Sequence, residues 1–171
     1  MGFTPLEGLV MATRSGSVDP GLVLWLEEHV GMPPSELAAT LEHRSGLLGL
    51  TGTGDMRVIL ESEAGGDEDA GLAVEVYLHR LRAGVASMSA AMDGTDAIAF
   101  TGGVGENSPA IRARAAAGLG FLGVSLAEAE NGSAEPDADI GAAGARVRAF
   151  VVQAREDLEI ARQVRSVLAG S

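Results

Sequence analysis

The sequence contains no cysteine and no lysine among its 171 residues. Without cysteine, the chain has no disulfide framework, no thiolate zinc site and no cysteine nucleophile. All 12 basic residues are arginines, and 24 acidic residues bring the formal net charge to −12. A chain with this excess of negative charge is expected to bind nucleic-acid phosphates and anionic membrane surfaces poorly. We therefore expect no nucleic acid and no membrane among its partners.

Aromatic residues are also scarce, at 4%, and no apolar run is long enough to span a bilayer. The first residues carry neither the charged region nor the apolar region of a signal peptide. These features predict a cytoplasmic protein. Hydrophobic residues make up 46% of the chain, so we expect a core built mainly from alanine, valine and leucine.

Helical patterns dominate the chain. Apolar residues at helical spacing follow proline-containing start signals. The longest helix is predicted from about Asp69 to Met92, with an apolar seam on one face formed by Val74, Leu78, Leu81, Val85, Met88 and Met92. In the last predicted helix, Arg155–Leu168, the same spacing places Ile160, Val164 and Val167 inward. The predicted helices begin at Pro20, Pro33-Pro34, Met56, Asp69, Pro109 and Arg155.

Strand signals are few. Asp96–Thr101 and Val147–Val152 have the short apolar pattern of buried parallel strands. Phe121–Leu126 is a weaker candidate, and residues 128–144 are polar enough to predict a surface loop. A buried sheet of two strands leaves its edges unpaired. Either the helices dominate the fold, or residues outside this chain complete the sheet.

A glycine-rich stretch, Gly102–Asn107, lies between the first predicted strand and a helix and is predicted to be a turn. Main-chain N–H groups at such a place can hold an anion, because glycine lets a ligand approach closely. A tight turn that needs glycine for conformational reasons explains the stretch equally well. No Gly-Lys-Ser/Thr follows, and Ser108 stands where a dinucleotide fingerprint needs glycine, so neither phosphate-binding motif is complete.

Three other positions carry chemistry that suits a phosphate or a metal ion. Arg14, in a loop of small residues, can clamp a phosphoryl group with its planar fork, although a loop arginine is more often solvated. Asp55 has the position of a helix cap. Glu156-Asp157 opens a helix just after a strand, where acidic residues ordinarily face the helix dipole but can also bind Mg²⁺. The three histidines lack partners at motif spacing, which rules out a Ser-His-Asp arrangement.

The motifs of the chain, taken in order, resemble those of the acetate kinase family, which includes acetate and propionate kinases. The resemblance extends over nearly the whole chain but covers only the carboxy-terminal portion of the family's length. The blocks that carry it are Met1–Leu9, Thr13-Arg14-Ser15-Gly16, Ser45–Gly49, Gly54-Asp55-Met56-Arg57, Phe100–Ser108 and Glu156-Asp157-Leu158.

The resemblance implies a partial actin-like, sugar-kinase-like (RNase H-like) α/β domain. It would be helix-rich, with a reduced sheet because the family's first strands lie upstream of Met1. Residues 1–171 would form the carboxy-terminal acetate kinase domain, incomplete on its amino-terminal side. The family transfers a phosphoryl group reversibly between ATP and acetate, giving ADP and acetyl phosphate with Mg²⁺, and its members dimerise through this half.

The resemblance also implies roles for individual residues. Arg14 would stabilise the transferring phosphoryl group, Pro5 would line the pocket for the acetate methyl group, and Glu156 would help to hold Mg²⁺. The nucleotide-binding residues would be Asp55, Met56, Arg57, Gly103, Val104, Gly105, Glu106 and Asn107.

The chain departs from the family pattern at Ala12, where glycine is usual, and at Ser17, where aspartate is common. Arg155 also places a bulky charge next to the presumed metal ligand Glu156. The resemblance implies that the family's first domain, and with it half of the catalytic residues, would lie outside this chain, so we expect little or no activity from this chain alone. A propionate or butyrate kinase fragment, or a non-catalytic nucleotide-binding or dimerising remnant, are the alternatives.

Overall fold

The computed structural model describes residues 2–170 in two compact units, which are divided between Gly94 and Thr95. Met1, the first residue of the acetate-kinase-like signature, and Ser171 lie outside the described residues. Within the described residues, no helix combines the length and the apolar character needed to cross a bilayer.

The first unit is helical after an irregular amino-terminal stretch, and four of its α-helices begin within one residue of a predicted start. Asp19 caps the first helix by accepting a hydrogen bond from Gly21 N at 2.8 Å, and Gly31 ends it in the left-handed conformation. The helices of this unit are α1 Pro20–Trp25 with a π-helical continuation Leu26–Val30, α2 Pro34–His43, α3 Gly46–Thr51, α4 Met56–Ala64 and α5 Glu68–Ala91.

The sequence analysis missed one helix of this unit. Helix α3 was not predicted, because a six-residue Gly-Leu-Leu-Gly-Leu-Thr segment has no clear helical period.

Helix α5 packs against α3 and α4 and supplies much of the core of this unit. The predicted apolar seam is buried at Val74 and Leu78 but exposed at Met88 and Met92. The helical spacing of the apolar residues therefore correctly identified one face of α5, but only the amino-terminal part of that face is buried. The buried apolar residues of the unit are Val10, Leu37, Leu47, Met56, Ile59, Ala70, Ala73, Val74 and Leu78.

The second unit contains a mixed sheet with the strand order β1-β3-β2. Both predicted strands are present, and they pair in parallel with Ala97 opposite Arg148 and Phe100 opposite Val151. The prediction that both are buried holds only in part for β3, where Ala149 and Val151 are buried and Arg148 is exposed, and was wrong for β1, of which only Phe100 is buried. The reason is that β1 lies at one edge of the sheet. The elements are β1 Ala97–Phe100, α6 Gly102–Asn107, α7 Pro109–Ala117, α8 Glu128–Gly132, β2 Ala138–Asp139, β3 Arg148–Val151 and α9 Glu156–Ala169.

The segment between α7 and β3 is more ordered than its polar composition predicted. It contains α8 and β2, and β2 pairs antiparallel with β3. The candidate strand Phe121–Leu126 is instead a 3₁₀ turn at Gly120–Leu122 followed by single bridges, of which Val124 to Val147 is one. Tertiary pairing rather than local pattern sets the structure of this segment.

Helix α9 has the predicted boundaries within one residue at each end, but its predicted inward face is exposed. Ile160, Val164 and Val167 are 62%, 51% and 73% exposed. A helical period states which residues share a face and does not state whether anything covers that face. The inward assignment of these residues was therefore wrong.

Candidate functional site

Arg14 lies in a loop whose two ends are fastened together. Gly8 N donates to Ser17 Oγ at 2.9 Å, and Ser17 N donates to Gly8 O at 3.1 Å. Gly16 has a φ of +70°, and a Cβ there would lie only 2.6 Å from Leu9 O. The loop therefore closes tightly on itself and requires glycine at that position.

Helices α2 and α3 hold this loop from the other side. Main-chain hydrogen bonds of 2.9–3.0 Å join the loop to the end of α2 and the start of α3, and the Thr13 hydroxyl donates to Glu42 O at 2.9 Å. The backbone that carries Arg14 is thus fixed on three sides by its own unit. The main-chain bonds run from Ser15 N to Leu41 O, Ser45 N to Thr13 O, Leu47 N to Met11 O and Leu48 N to Ala12 O.

The Arg14 side chain is half-buried, and its guanidinium forms no hydrogen bond or ion pair with any residue between 2 and 170. An arginine is permanently charged and prefers planar anionic partners. A rigid backbone combined with an unpaired guanidinium is an arrangement that suits an anionic ligand.

The structure also brings the Asp55 segment close to the Arg14 loop. Gly54 passes against Ala12, so that a Cβ at Gly54 would lie 3.0 Å from the Ala12 Cβ. The close approach of these two segments places two of the predicted site motifs side by side within the first unit.

Asp55 caps α4 and forms an ion pair with Arg57. Its Oδ1 accepts from Arg57 N at 3.0 Å and from Arg57 Nε at 3.1 Å, while its Oδ2 accepts from Arg57 Nη2 at 2.6 Å. The Arg57 side chain and then its main-chain N–H lower the pKa of Asp55 to about 2. Both side chains reach solvent, whereas Met56 between them is buried in the core.

This ion pair predicts a pH-dependent change. Arg57→Gln should raise the pKa of Asp55 from about 2 towards its ordinary value of 3.8, because the side-chain hydrogen bonds are lost and the main-chain cap remains. Since the folded pKa lies below the unfolded one, the pair stabilises the fold above pH 3.8 and loses this effect as the pH falls towards 2. A ¹³C NMR titration of the Asp55 carboxyl carbon measures the shift. Arg44→Gln is the control, and equal midpoints in Arg57→Gln and the unmodified chain would contradict the assignment.

In the second unit, the predicted glycine-rich turn is instead a short helix, α6. Gly102 starts it with a φ of +72°. The Asn107 side chain donates to Gly103 O at 2.9 Å. Glycine has a low helix propensity, which is why the sequence predicted a turn. The helix forms because side chains from within and outside the segment bind its main chain.

Glu106 is the first of these side chains. Its Oε1 accepts from Gly102 N at 2.7 Å and from Ala154 N at 2.9 Å. A single carboxylate oxygen thereby connects the residue that follows β1 to the segment between β3 and α9. The predicted nucleotide motif and the predicted metal-binding motif are joined at this point.

Arg112 and Asn131 are functional candidates that the sequence analysis did not identify. Arg112 lies on α7 with 1% of its surface exposed, and burial lowers its pKa. It donates to Gly105 O, Glu106 O and Asn131, and Asn131 Nδ2 donates to Pro109 O at 3.0 Å. The signal was in the helical period, since Arg112 shares the inward side of α7 with Ala115 and Ala116.

Glu156, the predicted metal ligand, is the exposed first residue of α9, and its carboxylate has no hydrogen-bond or ion-pair partner within residues 2–170. The neighbouring Arg155 does not bind it. Arg155 Nη2 and Nη1 both donate to Asp137, and this guanidinium holds the pKa of Asp137 below its usual range. The charge next to Glu156 is thus directed to another carboxylate.

Pro5 is the residue predicted to line the pocket for the acetate methyl group. Pro5 is half-buried and follows Thr4, whose carbonyl oxygen accepts from Glu7 N at 3.3 Å in a turn. No group of three or more His, Asp or Glu side chains with metal-binding geometry occurs in the part of the chain that the structure describes.

Comparison with known proteins gives consistent matches. The family model described as the acetokinase family matches residues 1–162. The chain is 46% identical over 164 residues to the acetate kinase of Microcystis aeruginosa, covering 95% of this chain and 41% of that protein. It is 48% identical over 172 residues to the acetate kinase of Leifsonia xyli subsp. xyli, covering 99% of this chain and 43% of that protein. The chain thus spans less than half the length of these relatives.

Solved structures agree with the sequence matches. The crystal structure of Porphyromonas gingivalis acetate kinase superposes with a TM-score of 0.90 at 35% identity, over 98% of this chain and 43% of that one. A propionate kinase from Francisella tularensis gives a TM-score of 0.86 at 37% identity, over 92% and 40% respectively. These neighbours confirm the prediction of a partial, helix-rich α/β fold with a small sheet.

Proposed function

The chain belongs to the acetokinase family, and from this premise we propose that it contributes the carboxy-terminal part of an acetate kinase. The reaction is the reversible transfer of a phosphoryl group between ATP and acetate. A carboxylate oxygen of acetate forms a bond to the γ-phosphorus while the bond from that phosphorus to the ADP oxygen breaks. The products are acetyl phosphate and ADP, and the reverse reaction regenerates ATP.

The single observation that carries the proposal is the Arg14 guanidinium, which is half-buried and unpaired within residues 2–170. Phosphoryl transfer passes through a loose transition state with negative charge spread over three oxygens, so catalysis depends on positioning and charge neutralisation. A guanidinium on a fixed backbone supplies both. Arg14 is therefore the residue that we assign to the transferring phosphoryl group, and Pro5 is assigned to the acetate methyl group.

The nucleotide is assigned to two segments. Asp55 and Arg57 offer exposed polar groups at the start of α4, whereas Met56 is buried and would act only through its main chain. Gly103–Asn107 would lie beneath the adenosine part of the nucleotide. Within this segment, the main chain and Val104 would contact the nucleotide directly. The Glu106 carboxylate would not, because it already accepts two main-chain hydrogen bonds.

Glu156 fits the role of a Mg²⁺ ligand. Its carboxylate is exposed and unpaired within the described residues, and Asp137 keeps Arg155 engaged. Proteins commonly hold Mg²⁺ through one or two carboxylates together with substrate phosphates and water. When bound, Mg²⁺ would neutralise charge on the nucleotide phosphates, and Glu156 would fix its position relative to α9.

The proposal includes acetate as the acyl substrate, a cytoplasmic location and a homodimer formed through this half of the full-length enzyme. Propionate is the alternative acyl substrate, and the propionate kinase among the structural neighbours supports keeping it. A non-catalytic, dimerising remnant is the second candidate, favoured by the exposed end of the α5 seam at Met88 and Met92. Concentration-dependent mass in light scattering without turnover would favour that candidate.

The test uses the 171-residue chain with ADP, acetyl phosphate and Mg²⁺. We expect calorimetry to detect ADP binding, and we expect no acetyl phosphate-dependent ATP formation, because the resemblance places half of the catalytic residues outside this chain. Arg14→Ala should weaken acetyl phosphate binding, followed by ³¹P NMR, on the order of tenfold and leave ADP binding nearly unchanged.

Arg44→Ala is the matched control, since Arg44 is an exposed arginine of the same unit that donates to Thr40. Equal acetyl phosphate affinity in Arg14→Ala and the unmodified chain would remove Arg14 from the site. ATP formation that disappears in Arg14→Ala would overturn the expectation that the chain alone is inactive.

A further inference from the structure

Arg112 is a buried cation whose hydrogen-bond acceptors are all neutral oxygens. Nη1 donates to Gly105 O at 3.0 Å and to Glu106 O at 2.8 Å. Nε donates to Asn131 Oδ1 at 2.8 Å, and Nη2 donates to Asn131 O at 2.7 Å. The guanidinium therefore bridges two separate segments, the end of α6 and the end of α8.

Burying the Arg112 charge costs free energy, and only its interaction with these carbonyl oxygens can offset that cost. A buried charge can often be replaced by an apolar side chain of similar volume without loss of stability, so stability alone does not explain an arginine here. The acceptors give the reason. The last carbonyls of a helix have no partner within the helix and carry its negative dipole end, which favours a cation.

Helix α6 depends on such support more than most helices. It has six residues, Gly102–Asn107, and three of them are glycines. Glycine disfavours the helix by about 1 kcal/mol per residue relative to alanine. A segment of this composition does not hold its main chain in one conformation unless other groups bind it.

The effect of Arg112 extends beyond the two carbonyls. By holding Glu106 O, it fixes the residue whose carboxylate accepts from Gly102 N and Ala154 N. One guanidinium thus determines the end of α6 directly, and its start indirectly through Glu106. It also determines where the segment before α9 attaches.

We infer that Arg112 is a positioning residue for the nucleotide: it holds the main chain of Gly105 and Glu106 in the conformation that receives the adenosine part. This inference rests on the proposed nucleotide role of α6. Arg112 is 1% exposed and so acts through the main chain that it binds rather than by touching the ligand.

Two measurements on the 171-residue chain test this role. Arg112→Met keeps a long side chain and removes all the donors. We expect the ADP dissociation constant to rise on the order of tenfold at a temperature where the variant is folded, since displacement of a binding segment weakens contacts throughout it. Hydrogen exchange followed by NMR should also show lost protection of the Gly102 and Ala154 amides, which a role limited to stability would not single out.

Arg146→Met is the matched control, because Arg146 belongs to the same unit and also donates to a main-chain carbonyl, Leu122 O, away from α6. It should leave both readouts unchanged. If Arg112→Met does not fold, Arg112→Lys provides the test. An ammonium keeps the charge but cannot bridge two segments in a planar fork, so ADP affinity should fall by a smaller factor.

The outcomes separate the two proposals. If the unmodified chain does not bind ADP, the proposed nucleotide function is wrong, and the amide exchange still reports whether Arg112 holds α6. If the unmodified chain binds ADP and folded Arg112→Met binds it equally well, with Gly102 and Ala154 still protected, the positioning role is refuted. Full affinity in Arg112→Lys would likewise refute the need for the guanidinium fork.

Discussion

Gly46→Ala should lower the free energy of unfolding by about 3 kcal/mol or more, the largest effect that we expect from adding one methyl group to this chain. Gly46 has a φ of +62°, and a Cβ there would overlap Met11 O and lie 2.7 Å from Arg14 O. Neither carbonyl is free to move. Met11 O accepts from Leu47 N, and Arg14 O accepts from Met11 N. The substitution therefore combines left-handed strain with displacement of the Arg14 loop.

Gly52→Ala separates these two contributions. Gly52 ends the same helix, α3, and has a φ of +77°, but no atom lies within 4 Å of the position of its Cβ. It should cost only the left-handed strain, about 1 kcal/mol. Urea unfolding followed by circular dichroism measures both values. Equal losses in the two variants would mean that the Arg14 loop yields easily, and would contradict the rigid backbone on which the role of Arg14 depends.

The same comparison bears on the site. If the Arg14 loop is displaced in Gly46→Ala, acetyl phosphate binding should weaken in that variant even where it remains folded. Gly52→Ala should retain binding, because no atom of the loop lies within 4 Å of the position of the Gly52 Cβ. An effect on stability alone, without an effect on binding, would separate the loop from the proposed phosphoryl site.

The parts of the fold that the sequence predicts well are those with local causes. Asp19-Pro20 and Ser108-Pro109 open helices because a capping oxygen and a fixed φ act within a few residues. The strand Arg148–Val151 is recognisable because three of its four residues are apolar, and two of them, Ala149 and Val151, are buried in the core. Each of these signals is complete within its own segment.

The parts that the sequence misses have causes elsewhere in the chain. Helix α6 forms although half of its residues are glycine, because Arg112 and Glu106 bind its main chain. Strand β2 has two residues and exists only through its pairing with β3. The exposed face of α9 has a different cause: the spacing of apolar residues along a helix does not show whether another element packs against them.

The residues of the candidate site can likewise be separated into those found from local sequence and those found only from the structure. Arg14 and Asp55-Met56-Arg57 were found as sequence motifs, and the structure adds that the Arg14 guanidinium is unpaired within residues 2–170 while Met56 is buried. Neither fact is visible in the order of residues. Arg112 belongs to no motif that the sequence analysis used. The helical period places it on the inward side of α7, but its role follows from the carbonyls that accept its hydrogen bonds.

Leu78→Ala should lower the free energy of unfolding by about 2–5 kcal/mol, since it removes a fully buried leucine and leaves a cavity. Leu78 is 0% exposed at the centre of α5, which packs against both α3 and α4. Helix α3 in turn holds the Arg14 loop through Leu47 N and Leu48 N. The core around α5 therefore supports the backbone of the proposed phosphoryl site through α3.

Leu72→Ala is the matched control, because Leu72 lies on the same helix but is 56% exposed. Both substitutions change the helix propensity equally, so the difference between them isolates burial. An exposed substitution of this kind stays within about 0.5 kcal/mol of the unmodified chain. Urea unfolding of the two variants measures the difference. If Leu72→Ala were the more costly of the two, the face of α5 that packs on α3 and α4 would be the wrong one, and the support of the Arg14 loop by this core would have to be abandoned.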